Sequence, residues 1–383
     1  MAETSYVFPN DANVTWSILI VLYPYVTGLV AGAFVVSSLY HVFRQEVLKP
    51  VAPLSLVTAL CFCAFATLPL LLHLHHPERA FNVMFTPSPT SAMAGFGFIY
   101  SFYMLLLLIE VWLVFRPEIV ARANSHRGKL GLLYRVLSLG VYEITDGARA
   151  IDNRLIRFLA ILGIPAACVL HGYVGFLFGA VKANPWWSTA LMPVIFLVSA
   201  IVSGIAILIV LYLVVSWWRG VPADGACVRA LSLYLWGALV LAVSLEILEL
   251  VHMGYESSEE WHVLRSLLTE HLRFSYGVVQ LLIGSVVPFL LLLIATRPWM
   301  NQRLMMWLSG FSAALVLIQV FAMRWNVVVG GQIFSKSFRG FVDYPITIGG
   351  REGVIVAIVI TTLPFVALWI AGKLLPIWQA KQA

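Results

Sequence analysis

Charge is what this sequence has least of: Asp, Glu, Lys and Arg make up 11% of its 383 residues, against roughly 25% in an average soluble domain. A soluble fold of this length needs a charged surface, so that class is excluded. Cysteine is scarce as well. Cys61, Cys63, Cys168 and Cys227 include no C-x-x-C pair, and three lie inside apolar runs. Iron–sulfur ligation needs clustered thiolates and a disulfide framework needs water-facing ones, so neither is supported. Cys61 and Cys63 are two apart, point to different faces of a helix, and read as packing residues. A basic n-region is also missing. The start, MAETSYVFPNDANV, is acidic, so the first apolar run is expected to be retained as a membrane helix rather than cleaved as a signal.

Apolar residues, by contrast, form 61% of the chain. They occur in repeated runs long enough to cross a hydrocarbon core of about 30 Å at about 1.5 Å per residue. The pattern predicts an all-α, polytopic transmembrane bundle of about nine helices, over 15–43, 51–75, 92–115, 154–180, 190–217, 229–255, 272–296, 302–323 and 351–374. Two long connections remain. Residues 116–153 contain GKLGLLYRVLSLGVYEI, apolar but broken by Lys129 and Arg135, which reads as a helix lying in the headgroup plane, with a short tenth membrane helix as the alternative. Residues 324–350 carry glycines, β-branched residues and mixed charge, which suits an ordered loop or hairpin capping the helices.

Basic residues are retained on the cytoplasmic side of a membrane, so their distribution sets the orientation. One set of loops holds Arg44, Lys49, Arg116, Arg122, Arg127, Lys129, Arg135, Arg149, Arg154, Arg157, Arg219, Arg229, Arg297, Arg303, Lys373 and Lys381, which is 16 of the 24 Lys and Arg. The other set holds Arg79, Lys182, Arg265, Arg273, Arg324, Lys336, Arg339 and Arg351. The expectation is a multi-pass inner-membrane protein with the N-terminus periplasmic and the C-terminus cytoplasmic. The net charge of +6 then reflects this asymmetry, and no nucleic-acid partner is expected.

Ionisable groups inside a bilayer cost about 2.5–3.5 kcal/mol each on insertion scales, so those present are functional candidates. The sixth helix holds Glu246, Glu249 and His252 at spacings of three, a stripe rising toward the outer face. Glu246 falls roughly 13 Å below the helix end near Tyr255. A carboxylate there can carry a proton, so the stripe reads as a proton path, with interhelical hydrogen bonding as the alternative. Glu110, within two turns of Arg116, reads as a local ion pair or a snorkelling side chain. At the outer end of the fourth helix lie His171 and Tyr173. A quinone site needs hydrogen-bonding groups set in apolar walls, which these residues supply, although interfacial anchoring accounts equally for aromatic residues at a helix end. Six histidines, His41, His73, His75, His76, His171 and His252, lie in or beside helices. Only His41 is near the inner face, so a two-haem stack has no inner pair, and one outer haem stays open.

Several motifs carry a resemblance. Tyr173-Val-Gly-Phe-Leu, the run from Asn184-Pro-Trp-Trp-Ser-Thr-Ala-Leu-Met-Pro to Ala200, and Ser203-Gly-Ile-Ala resemble the fourth-to-fifth helix signature of the NrfD / polysulfide-reductase membrane-subunit (PsrC-like) family. Tyr23-Pro-Tyr-Val-Thr-Gly-Leu-Val-Ala-Gly and Ser88-Pro-Thr-Ser match as well. Arg324-Trp-Asn-Val-Val-Val-Gly-Gly-Gln and Gly350-Arg-Glu-Gly are similar to the larger members of DsrP and HybB type.

The resemblance implies two four-helix bundles plus an extra helix, and a subunit without haem or iron–sulfur cluster of its own. Such a subunit exchanges electrons between menaquinone or ubiquinone and a ferredoxin-like iron–sulfur subunit on the periplasmic face. Further redox subunits of cytochrome, molybdopterin or Dsr type, in respiration or sulfur metabolism, are implied beyond it. By position, Tyr173 matches the family's quinone-contacting tyrosine. Tyr23 and Ile20 stand where polysulfide reductase has a histidine and an asparagine, and His171 is the candidate replacement imidazole. Quinone contact is thus expected from Tyr173, His171 and Tyr23, a proton path from Glu246, Glu249 and His252, and structural support or partner docking from Arg324, Asn326 and Gln332. A proton-coupled secondary transporter and a structural anchor for redox subunits are the other readings.

Overall fold

The computed structural model describes residues 14–257, 259–333 and 340–378. The acidic start up to residue 13, and Lys336, Arg339 and Lys381 of the charge pattern, lie outside the described residues.

The chain folds as helices α1 (Ile18–His41), α2 (Ala52–Ala66), α3 (Leu68–His73), α4 (Asn82–Phe85), α5 (Ala92–Ser125), α6 (Gly128–Leu137), α7 (Asp146–Gly179), α8 (Met192–Arg219), α9 (Gly225–Glu256), α10 (Glu259–Ser266), α11 (Val287–Ala295), α12 (Gln302–Trp325), α13 (Gly331–Ile333) and α14 (Val354–Leu374). Of three π-helical stretches, Leu267–His271 follows α10, Arg273–Val286 leads into α11 and Asn326–Gly330 continues α12. Among the described residues, nine helical spans are long and apolar enough to cross a membrane, α2 with α3 counting as one. The protein is a multi-pass, all-α membrane protein.

The spans pack as two rings of four. In the first, α1, α2, α5 and α7 touch in sequence. In the second, α8, α9, the π stretch with α11, and α12 do the same, and α14 lies outside the first ring against α2, α3 and α1. The rings meet where α1 crosses α8. A Cβ on Gly204 would sit 2.2 Å from the Gly32 carbonyl carbon, and one on Gly32 would sit 2.0 Å from the Ala200 carbonyl oxygen. The helices therefore touch backbone to backbone, the close approach that small residues permit in lipid.

Two element ends differ from the sequence expectation. The third span continues through Pro117 to Ser125, and the fourth begins at Asp146 with Thr145 capping it through the Ala148 amide. The connection that remains contains α6, ten residues and so about 15 Å long, half of what a spanning helix needs. It exposes Leu130, Leu132, Leu133 and Val136 and buries Tyr134, whose hydroxyl donates to the Leu374 carbonyl at 2.7 Å. The eighth span also outruns its expected end at 323: its helical backbone continues to Ile333. Residues 340–353 follow without regular structure except a single bridge at Phe341.

Gly204→Ala is expected to cost roughly 1–3 kcal/mol through overpacking and to lower the midpoint of thermal unfolding in detergent. Gly237→Ala, whose Cβ would meet nothing within 4 Å, should leave that midpoint unchanged or raise it. Equal midpoints for the two variants would contradict the close crossing.

Candidate functional site

Two features stand out. The first lies at the end of the bundle that carries the starts of α1 and α5 and the ends of α3 and α7. It is a cavity of about 780 Å³ among Trp16, Ile20, Tyr23, Thr67, His73, Met84, Phe96, Tyr100 and Phe178, with His75, His76 and Arg79 on its wall. Thr67, where the second span passes from α2 to α3 ahead of Pro69, is among its lining residues. The Tyr23 hydroxyl is buried without a hydrogen-bond partner, and its ring meets Phe96 edge-on at 5.3 Å. Tyr100 donates to the Cys63 carbonyl. His73 Nδ1 lies 3.2 Å from Glu352 Oε1, and Arg351 donates to the Leu74 carbonyl at 2.6 Å, so the stretch before α14 is fastened beside the cavity.

The second feature is a buried polar network between the bundles. Gln280 Nε2 donates to Glu246 Oε2 at 2.9 Å, and Asn326 Nδ2 donates to Gln280 Oε1 at 2.8 Å. Gln319 lies beside Glu246, and Thr189 beside Glu249. Two of the π stretches contribute, Arg273–Val286 supplying Gln280 and Asn326–Gly330 supplying Asn326; π-helical geometry is rare and is frequent at functional sites. Arg324, 0% exposed, reaches from α12 to Ser199 Oγ at 2.5 Å, the Phe196 carbonyl at 3.3 Å and His171 Nε2 at 3.1 Å. Its guanidinium carbon stands 3.7 Å from the centroid of Phe196.

The Asn184–Trp187 turn locks this arrangement. Asn184 Nδ2 donates to the Gly331 carbonyl at 2.6 Å while its Oδ1 accepts the Trp186 and Trp187 amides, and Trp187 Nε1 donates to the Val327 carbonyl at 2.7 Å. Gln332 accepts the Trp16 amide at 3.0 Å and donates to the Val328 carbonyl at 2.7 Å. Trp16 stacks on Trp187 at 5.1 Å.

The structure therefore divides the sequence candidates. Of Tyr173, His171 and Tyr23, Tyr23 alone lines the cavity. Tyr173 donates to the Ala92 carbonyl at 2.7 Å and packs beside Gly95, which fixes the first turn of α5 behind Met93 and Phe96. His171 is fully buried and faces the second bundle, because two residues along a helix turn about 200° apart. Glu246 and Glu249 are buried together, but His252 is exposed and 3.7 Å from Glu256. Each step of three falls about 60° short of a full turn, so His252 has rotated off the buried face.

Arg324 and Asn326 are not in an outer loop offered to a partner. Both are inside the continued helix, whose carbonyls the Asn184 and Trp187 side chains satisfy, and Gln332 ties down Trp16. Glu110 does not pair with Arg116, which instead binds Asp152 at 2.6 Å. Both Glu110 oxygens are buried without a partner. Tyr100 and His73 were missed as cavity residues, since tertiary packing, and no local pattern, brings them to one cavity. Among the described residues, no three His, Cys, Asp or Glu side chains group so as to hold a metal ion.

Fold and site thus define a polytopic helical membrane protein with an apolar, hydroxyl-bearing cavity at one end and a buried acid–amide–arginine network between its bundles. The chain belongs to the polysulphide reductase, NrfD family, whose model matches residues 7–336. It is 32% identical over 323 residues to a subunit of the selenate reductase of Mesobacillus selenatarsenatis, covering 82% of this chain and 73% of that one. To protein NrfD of Escherichia coli it is 25% identical, over 84% of this chain and 96% of that one. To the Hdr-like menaquinol oxidoreductase integral membrane subunit of Archaeoglobus fulgidus it is 24% identical, over 85% and 73% respectively.

Asn184→Ala would leave the Gly331 carbonyl and the Trp186 amide unpaired in a buried interior, a loss of roughly 1–3 kcal/mol. Unfolding of the purified protein should shift to lower temperature accordingly, and an unchanged melting curve would show that the turn does not clamp the π stretch.

Proposed function

We propose that this chain is the quinone-interacting membrane subunit of a multisubunit oxidoreductase. The cavity carries the reading. Its volume falls in the range of small-molecule sites, its walls are apolar and aromatic as a quinone ring and tail require, and the unpartnered Tyr23 hydroxyl supplies a donor for a ring oxygen. Tyr100 is the second hydroxyl within reach of the cavity. Tyr173 acts from behind, by holding the start of α5 in place. The menaquinol oxidoreductase subunit among its relatives supports the quinone class.

When bound, quinol supplies two electrons and two protons on oxidation, and the reverse reaction consumes them. The chain's own part is to position the ring, keep bulk water away and pass protons. An iron–sulfur subunit docked over the cavity mouth, beside His75, His76 and Arg79, is the electron partner. The excess of basic residues at the opposite end supports a periplasmic mouth, with the termini in opposite compartments. Glu249 and Glu246 form the proton path, with Gln280 and Asn326 as its polar lining. A pure anchor would not need a hydroxyl-bearing cavity, and the clear inverted repeat expected of a transporter is not evident in the sequence.

Titration with a short-chain quinone analogue, followed by quenching of tryptophan fluorescence, tests the site in the purified chain. Gly97→Phe, which fills the cavity, should weaken binding at least tenfold. Tyr23→Phe, which removes one hydrogen bond, should weaken it roughly 2- to 10-fold. Undiminished binding to Gly97→Phe would overturn the placement. Tyr173→Phe in the assembled complex should slow quinol-linked electron transfer without loss of assembly.

A further inference from the structure

His171 was expected at the quinone and instead lies between the bundles, in a contact whose chemistry fixes its protonation. A guanidinium donates hydrogen bonds and accepts none. The 3.1 Å contact from Arg324 Nη2 therefore requires His171 Nε2 to be the acceptor, and the neutral ring must carry its proton on Nδ1. That Nδ1–H is buried without a partner.

Four further buried polar atoms of the same network are also unpartnered: Arg324 Nε, Asn326 Oδ1, Glu246 Oε1 and Glu249 Oε1. Each unsatisfied group costs about 1–3 kcal/mol, and internal water is the usual remedy where several polar groups converge. The charged groups are disposed in sequence. Arg324 faces His171 from α12, and Ser199 and Phe196 face it from α8. From α1, Gly28 gives it room, since a Cβ there would lie 3.2 Å from His171 Cε1. Arg324 in turn interacts electrostatically with Glu246, and Glu246 with Glu249. Among the described residues Arg324 makes no salt bridge, so its charge is free to act on both sides.

We propose that His171, latched by Arg324, is a proton-exchanging junction that joins the carboxylate network of the second bundle to the cavity-bearing first bundle. The ring cannot hold a proton on Nε2 and accept from Arg324 at once. Proton arrival from Glu246, through bound water, therefore breaks the latch. Arg324 turns toward the carboxylate left negative by that transfer, and His171 gives up the proton on Nδ1 to a bound water at that unpartnered atom. One proton enters the ring, one leaves, and no group changes oxidation state. Arg324 is a positioning residue here: it fixes the tautomer and times the release. Phe196, under the guanidinium, packs at 5.4 Å on Phe178, which lines the cavity, so the latch lies two aromatic rings from the cavity.

The inference rests on the proton-path reading above, and the test separates the two. The chain, labelled with 15N-histidine and held in nanodiscs, is examined by solid-state NMR, with His171→Gln assigning the signal. The expected result is a neutral Nδ1–H tautomer for His171 that loses its fixed form in Arg324→Gln. An Nε2–H tautomer in the unsubstituted protein would overturn the latch whatever the variants do. In vesicles of the assembled complex, His171→Gln should reduce protons moved per electron at least twofold while quinone-analogue affinity stays unchanged. An unchanged proton ratio would remove the junction but leave the cavity reading standing. Loss of analogue binding in the unsubstituted chain would instead remove the cavity reading and leave the tautomer result to stand alone.

Discussion

The backbone contact between Gly32 and Gly204 sets the distance between the two bundles, and the polar interior depends on that distance. An arginine side chain spans only about 6–7 Å from its backbone. Arg324 leaves α12 in the second bundle and bonds His171 on α7 in the first, a reach open to it only because α1 and α8 touch without side chains between them. In lipid this closeness is not driven by water expulsion, since acyl chains are as apolar as leucine; packing and interhelical hydrogen bonding provide the association. Small residues at the crossing and long polar ones above it are two halves of one arrangement.

Burying so many polar groups also requires that the backbone itself be satisfied, because the hydrocarbon offers no partners. At the Asn326–Gly330 π stretch and just after it, side chains from elsewhere add bonds to backbone carbonyls. Trp187 bonds the Val327 carbonyl and Asn184 that of Gly331. The Asn-Pro-Trp-Trp turn therefore does its work far from its own helix. It allows Asn326 to face Gln280, and Gln280 to face Glu246, without leaving an open carbonyl behind them.

Much of this was legible in the sequence, for definable reasons. The spans follow from run length, and the bundle arrangement from motifs on the first, fourth and fifth spans. What escaped the sequence is what depends on a partner distant along the chain. Arg324 and Asn326 read as loop residues because charge and glycine mark loops, while the clamp that keeps them helical comes from residues about 140 positions earlier. His252 read as part of the acidic stripe because spacing by three approximates one face over two steps and fails over a longer run. Arg116 read as a partner for Glu110 because it is near in sequence, yet Asp152 reaches it across the bundle. The cavity had no linear signature at all, since its walls come from residues of α1, α3, α5 and α7 that are far apart in the chain.

The separation of cavity and network has its own physical logic. A quinone-sized site must open toward the membrane or its surface, and an open site surrenders the low dielectric that makes buried charges interact strongly. A proton network gains from the opposite condition, with water confined to a few bound positions. Placing the cavity at the end of the first bundle and the carboxylates inside the second meets both demands, at the expense of needing a link between them. Phe178 and Phe196 close the direct way with apolar rings, so the proposed proton route runs by way of polar groups at the bundle interface. At that interface His171 and Arg324 join the two sides through one side-chain hydrogen bond. A sequence reader sees in them a histidine near a quinone motif and an arginine near a loop. The fold makes them neighbours, and their contact is the point at which the proposed proton exchange joins the halves of the protein.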